Sequence, residues 1–69
     1  MEKVGFIGMG NMGYAILKGL LAYMPKEELT FWEVNQKRAA WVQEQTGVIP
    51  APDSKTCATQ VKYLILAVK

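Results

Sequence analysis

The sequence predicts an α/β fold in which a parallel sheet is built in β-α-β-α-β-α-β order. Two observations predict it. Short apolar segments alternate with longer segments whose apolar residues recur every three or four positions, and the last segment is apolar throughout, as in strands of buried parallel sheets. Strands that alternate with helices are joined by crossovers, which makes the sheet parallel. The 69 residues amount to one domain or to part of one.

The first half of the chain predicts one β-α-β unit. Residues 3–7 are a short apolar run that two glycines end, which is typical of a buried strand. From Asn11 apolar residues return at helical spacing, on a face that includes Met12 and Ile16, until a proline ends the helix. Residues 29–33 are compatible with a second strand that ends in an acidic residue.

Polar and glycine residues mark the ends of a second helix. Asn35 is a suitable N-cap, and Gly47 stands where the glycine that follows a helix belongs. Residues 48–49 precede two closely spaced prolines, so they allow only a very short third strand.

The C-terminal part of the chain predicts a short helix and a fourth strand. Asp53 or Ser54 can cap the helix, which extends to about Gln60. Residues 63–68 are apolar without alternation, as expected for a strand covered on both faces. Because the chain ends directly after this strand, we expect it to be the front of a longer polypeptide.

Composition and charge exclude several classes of function. Cys57 is the only cysteine and there is no histidine, so the chain can form neither an internal disulfide nor a zinc site. The 8 basic and 6 acidic residues are interspersed, which leaves no basic stripe for nucleic acid or an anionic membrane. The longest apolar run is far shorter than the roughly 20 residues that span a bilayer. We therefore expect a cytoplasmic protein with no nucleic-acid or membrane partner.

A glycine motif follows the first strand and opens the first helix. Gly8, Gly10 and Gly13 form the pattern G-x-G-x-x-G. In this context the first glycine makes a tight turn, the second lets the backbone approach a pyrophosphate, and the third allows the helix to pack closely on the strand. The N–H groups from Gly10 to Met12 then face the phosphates at the positive end of the helix dipole. The motif predicts a dinucleotide-binding loop of the Rossmann type; the alternative is a glycine-rich turn without a ligand.

An acidic residue after the second strand supports dinucleotide binding. Glu33 lies 20 residues after Gly13, where a carboxylate can accept hydrogen bonds from both ribose hydroxyls of an adenosine. A carboxylate there repels a 2′-phosphate and so favours NAD over NADP. Lys37 and Arg38 open the second helix close by and can bind that phosphate instead. The choice between NAD and NADP stays open.

Five other residues are interpreted as structural or left undecided. Trp32 and Trp41 are expected to pack in the core rather than to stack on adenine. Cys57 is expected to be a small buried residue, since no histidine can activate it. Gly19 suggests a tight helix contact, and Lys69 is either a ligand contact or a solvated terminus. No residue of the chain is a convincing catalytic acid or base, and none is expected to bind a metal.

Three segments carry a family resemblance: VGFIGMGNMG at 4–13, AILKGL at 15–20 and LILAVK at 64–69. Together they resemble the pyrroline-5-carboxylate reductase family. The first segment is shared with β-hydroxyacid dehydrogenases and other relatives of 6-phosphogluconate dehydrogenase, so it indicates a superfamily only. The other two are similar to the reductases, whose Ala-Val-Lys-Pro motif resembles the end of this chain.

The resemblance implies that residues 1–69 are the N-terminal part of a Rossmann domain in a longer enzyme. A helical C-terminal domain, absent from this chain, would make the dimer and most of the substrate site. Such an enzyme reduces 1-pyrroline-5-carboxylate to L-proline with NADPH or NADH, the last step of proline synthesis. The alternatives are a β-hydroxyacid dehydrogenase and a non-enzymatic NAD(H)-sensing module.

The resemblance also implies, position by position, where the cofactor is bound. Residues 8–12 would hold the pyrophosphate, residues 33–35 the adenosine ribose or its phosphate, Ser54 the adenine side, and residues 67–69 the nicotinamide half. Val34 stands where many family members have a basic or small polar residue, which puts a preference for NADP further in doubt. The expected cofactor-binding residues are Gly8, Met9, Gly10, Asn11, Met12, Glu33, Val34, Asn35, Ser54, Ala67, Val68 and Lys69.

Overall fold

The computed structural model describes residues 3–67, in which strands and helices follow one another as an α/β fold. The strands are β1 (Val4–Ile7), β2 (Leu29–Trp32) and β3 (Tyr63–Leu66); the helices are α1 (Asn11–Leu20), α2 (Gln36–Thr46) and α3 (Ser54–Gln60), and a 3-10 turn occupies Lys26–Glu28. The predicted fold class is thereby confirmed.

The three strands form one parallel sheet in the order β2-β1-β3. Ile7 at the end of β1 pairs with Trp32 at the end of β2 and with Leu66 at the end of β3. The loops that follow all three strands therefore lie along the same edge of the sheet, which is where open parallel sheets bind ligands.

The short strand expected at residues 48–49 is reduced to a single bridge. Phe31 pairs with Pro50 in parallel orientation, and the Ala51 N–H donates to the Phe31 carbonyl oxygen at 2.7 Å. The hydroxyl of Thr30 adds a hydrogen bond of 2.9 Å to the Ile49 carbonyl. A ladder cannot extend here because Pro50 and Pro52 have no N–H to donate.

The last strand is exposed, which corrects the expectation that it is covered on both faces. β3 lies at an edge of the sheet, and Tyr63, Leu64 and Leu66 are all exposed, Leu66 to 68%. Burial of both its faces was inferred from its apolar composition, but nothing in residues 3–67 pairs with its outer side. Val68 and Lys69 lie outside the described residues.

The core lies around β1 and β2, and it corrects the predicted face of α1. Gly13 and Leu17 are the buried residues of that helix, whereas Met12 is 71% exposed and Ile16 also reaches the surface. The helix must bring Gly13 against the loop after β1, and this contact rotates residues 12 and 16 outward. The side chains buried in the core are Val4, Phe6, Met9, Leu17, Leu29, Phe31, Val42 and Val48.

Two minor expectations have opposite outcomes. Cys57 is fully buried, and its thiol lies 3.5 Å from the Phe6 carbonyl oxygen, as expected of a small residue packed on the sheet. Gly19 is exposed, and among the described residues no atom lies within 4 Å of a Cβ added there beyond its own helix and neighbours. The inferred tight contact at Gly19 is therefore wrong.

Helix ends follow the local chemistry of the sequence. Asn35 caps α2 by accepting a 3.0 Å hydrogen bond from the Arg38 N–H, and Gly47 ends the same helix with a φ of 77°. Of the two candidates for α3, the cap is Asp53, whose Oδ1 lies 2.6 Å from the Thr56 nitrogen.

The cap of α3 makes stability depend on pH. Hydrogen bonds from the backbone N–H and then the side chain of Thr56 lower the pKa of Asp53 below its ordinary value. A carboxyl group with a lower pKa in the folded state contributes stability that is present above its unfolded pKa and is lost as pH falls through the folded pKa. Asp53→Asn can still cap but does not titrate, so we expect it to lose less stability than the parent between about pH 5 and pH 2. Urea unfolding at both pH values measures this, and equal losses would contradict it.

Candidate functional site

A cleft of about 640 Å³ lies at the carboxyl ends of the three strands. It brings together the loop after β1, the segment between β2 and α2, and the end of β3. Its lining residues are Met9, Gly10, Asn11, Met12, Glu33, Asn35, Arg38, Leu66 and Ala67. Seven of the twelve expected cofactor-binding residues therefore line one cavity.

The glycine loop begins with a turn that requires glycine. Gly8 has a φ of 96°, in the region that side-chain-bearing residues rarely adopt, and its N–H donates to the Trp32 carbonyl at 2.8 Å. The Met9 side chain is fully buried and anchors the loop in the core. Gly8 itself is buried and does not line the cleft.

The other two motif glycines have different surroundings. Gly10 is the N-cap of α1, and a Cβ added to it would meet no described atom within 4 Å beyond its neighbours. A Cβ on Gly13 would lie 2.9 Å from the Gly8 carbonyl oxygen and 3.1 Å from the Ala67 Cβ. Gly10 thus keeps space open in front of the helix, whereas Gly13 allows the helix to contact the loop.

The N-terminus of α1 presents unsatisfied donors to the cleft. Its first turn carries no acidic residue, and no side chain caps it. The first N–H groups of a helix have no acceptor within the helix, and they carry the positive end of its dipole. This end of the cleft therefore suits an anion.

Glu33 ties the glycine loop to the start of α2. Its Oε1 accepts a hydrogen bond from the Met9 N–H at 2.6 Å, and its Oε2 accepts one from the Asn35 N–H at 2.9 Å. A carboxylate has about four lone-pair sites, so each oxygen can accept another hydrogen bond. Glu33 organises the loop and remains available to a ligand's hydroxyl groups.

Arg38 also forms a hydrogen bond with Met9 in this loop. Its Nε donates to the Met9 carbonyl at 2.8 Å, so both polar groups of Met9 are held by side chains of the cleft. The guanidinium carbon lies 4.6 Å from the centre of the Trp41 ring and 5.5 Å from that of Tyr14. Lys37, the other basic candidate, is exposed and does not line the cleft.

Trp41 is not part of the core, contrary to expectation. It is 39% exposed, and its ring contacts Tyr14 on α1 with 4.8 Å between centroids and 50° between planes. Trp32 is half-buried at the end of β2. The signal for the Arg38–Trp41 contact was present in the sequence, since residues three apart on a helix are neighbours.

The remaining expected residues lie away from the cleft or beyond the described part of the chain. Val34 is 75% exposed, and Ser54 is the first residue of α3; neither lines the cleft. Val68 and Lys69 lie outside residues 3–67. Leu66 lines the cleft but was missed, although its place at the carboxyl end of a strand is a signal that could have found it.

Two other kinds of site were searched for in residues 3–67. No three or more Asp, Glu, Cys or His side chains are grouped as ligands for a metal ion there. Within the same range, none of the helices has the length and apolar character needed to cross a membrane.

Comparison with known families agrees with this geometry. Residues 3–69 match the model of a family described as "NADP oxidoreductase coenzyme F420-dependent". The chain belongs to this family. The description of this family supports binding of a nicotinamide cofactor but does not decide between NAD and NADP.

The chain is also similar to curated enzymes along almost its whole length. It is 32% identical over 69 residues to the pyrroline-5-carboxylate reductase of Vibrio alginolyticus and 37% identical over 71 residues to that of Escherichia coli K12. Each alignment covers 99% of this chain but 25% and 26% of the relative, respectively. The resemblance found in the sequence is confirmed, and the chain spans about a quarter of the length of these relatives.

Proposed function

We propose that this chain is the cofactor-binding N-terminal part of a pyrroline-5-carboxylate reductase. The enzyme would reduce 1-pyrroline-5-carboxylate to L-proline with NADPH or NADH. The observation that carries the proposal is the cleft, in which a G-x-G-x-x-G loop, an uncapped helix N-terminus and Glu33 meet. The similarity to reductases of that name over 99% of the chain supports the substrate.

The pyrophosphate fits the loop between β1 and α1. Free N–H groups at the start of α1 suit its negative charge, and Gly10 leaves the approach open. The neighbouring side chain of Asn11 lies at the first position of the helix and lines the same space. These features together support residues 9–12 as the phosphate-binding segment.

The adenosine ribose fits between Glu33 and Arg38, and their arrangement favours NADPH. Both Glu33 oxygens already accept hydrogen bonds from main-chain N–H groups, which offsets part of their repulsion of a phosphate. Arg38 uses Nε for the Met9 carbonyl, and its planar fork suits bidentate binding of a 2′-phosphate. NADH would bind through its ribose hydroxyls to Glu33.

The nicotinamide half fits near Leu66 and Ala67 at the end of β3. When bound, the cofactor supplies the hydride. The residues of this chain supply placement, by holding the phosphates and the ribose so that the nicotinamide extends along the sheet edge. The groups that bind the substrate carboxylate and protonate the ring nitrogen are assigned to the rest of the enzyme, together with its dimer interface.

The test is an assay of the natural-length protein with 1-pyrroline-5-carboxylate. NADPH and NADH are supplied separately, and loss of the reduced nicotinamide absorbance is followed. We expect substrate-dependent oxidation of both, with the higher kcat/KM for NADPH, and no turnover by residues 1–69 alone. A protein that binds the cofactors but leaves both unoxidised would refute proline synthesis; β-hydroxy acids would then separate a dehydrogenase from an NAD(H)-sensing module.

A further inference from the structure

We propose that Trp41, which lies outside the cleft lining, positions Arg38 and thereby sets the preference for NADPH over NADH. This inference rests on the proposed dinucleotide function of the cleft. It concerns a residue that touches no ligand itself and acts only through the guanidinium of Arg38.

The two aromatic rings beside Arg38 come from different helices. Arg38 is the third residue of α2, and Trp41 follows one turn later on the same side of that helix. Tyr14 comes from the first turns of α1. The ring centroids of Tyr14 and Trp41 lie 4.8 Å apart, and both rings lie within about 6 Å of the guanidinium carbon; we call this pair of rings the aromatic platform.

The platform restricts a side chain that is otherwise flexible. An arginine in solvent loses much rotamer entropy when a ligand immobilises it. Here Nε is held at 2.8 Å from the Met9 carbonyl, while Trp41 lies 4.6 Å from the guanidinium carbon. One hydrogen bond and one ring contact together restrict the guanidinium group before any ligand binds.

The charge of Arg38 is left for a ligand. The ion pair found among residues 3–67 joins Lys3 to Glu28, far from the cleft. Glu33 accepts its hydrogen bonds from main-chain N–H groups and forms no ion pair with Arg38 in the described part of the chain. A second cation near the aromatic platform is Lys18, whose Nζ lies 5.6 Å from the centre of the Tyr14 ring.

The ligand chemistry that fits this arrangement is a phosphate monoester. A fixed guanidinium plane binds a phosphate through two parallel N–H donors, and misorientation of the plane loses one of them. NADPH carries such a phosphate on its adenosine ribose and NADH does not. Loss of the platform should therefore weaken the binding of NADPH and leave the binding of NADH nearly unchanged.

The experiment measures the dissociation constants of NADPH and NADH by calorimetry with the natural-length protein. We expect Trp41→Leu to lower the preference for NADPH about two- to fivefold, the range that a partly exposed cation–π contact supports. Trp41→Phe keeps an aromatic face and should retain most of the preference. The matched control is Tyr63→Leu, which removes the ring of another cation–π pair, with Lys62 at 5.8 Å, outside the cleft lining, and should change nothing.

A double-mutant cycle separates positioning from a general structural effect. With Arg38→Ala in place, Trp41→Leu should cause no further change in the preference, because no guanidinium remains to be positioned. An equal change with and without Arg38 would overturn the inference, as would an unchanged preference in Trp41→Leu.

A fluorinated tryptophan at position 41 provides a variant of unchanged shape, should Trp41→Leu fail to fold. Fluorination weakens the attraction of the ring for a cation, so the preference for NADPH should fall in the same direction. A parent protein that binds both nucleotides with equal affinity overturns the inference and leaves the cleft's function intact. A parent that binds neither overturns the proposed function and this inference together.

Discussion

Replacing Gly10 with valine is expected to abolish dinucleotide binding while the protein stays folded. Gly10 lines the cleft in front of α1, with a φ of −73° that any residue adopts, and an added Cβ meets no described atom within 4 Å beyond its neighbours. The branched side chain would occupy the space proposed for the pyrophosphate. Because several charge-assisted hydrogen bonds would be lost, we expect affinity for NADPH and NADH to fall more than about 100-fold.

The same substitution at Gly19 is the matched control. Gly19 lies near the other end of α1, and a Cβ added to it also meets no described atom within 4 Å beyond its own helix and neighbours. Gly19→Val should bind both cofactors normally, while Gly10→Val should lose less than about 1 kcal/mol of stability, the effect of a poorer N-cap. Calorimetric binding and urea unfolding of both variants measure this. Parental affinity in Gly10→Val would undo the assignment of the phosphate site.

Replacing Gly13 with valine is expected to have the opposite effect and strongly destabilise the fold. The new Cβ would lie 2.9 Å from the Gly8 carbonyl oxygen. This oxygen cannot move away easily, because Gly8 has a φ of 96° and its N–H donates a hydrogen bond to the Trp32 carbonyl oxygen. Overpacking against fixed backbone is expected to cost about 3 kcal/mol or more, a large part of the 5–15 kcal/mol that typically stabilises a protein.

Urea unfolding followed by circular dichroism measures the loss in Gly13→Val. Gly10→Val and Gly19→Val serve as references, since all three introduce the same side chain into the same helix region. Stability equal to that of these two variants would show that α1 does not need close contact with the loop after β1.

Features that depend on neighbouring residues were predictable from the sequence. The turn at Gly8 and the caps at Asn35 and Gly47 involve bonds or backbone angles within a few residues, and all were confirmed. The parallel sheet also followed from the alternation of strands and helices, since crossovers leave few other arrangements. Most of the residues expected at the cofactor site line one cleft for the same reason, because the carboxyl ends of parallel strands share one edge.

Features that depend on distant residues were decided by the tertiary structure. Met9 is held by Glu33 and Arg38, which lie 24 and 29 residues away, and no local pattern reports such bonds. Periodicity indicated that α1 has an apolar face. The contact of Gly13 with the loop after β1 decides that Leu17 rather than Met12 is buried. Trp41 likewise lies outside the core, where it packs against Tyr14, a residue of another helix that no local pattern pairs with it. Local sequence patterns therefore predicted most of the helices and strands, their caps and the glycine loop, and only the packing of distant residues decided which side chains face the cleft.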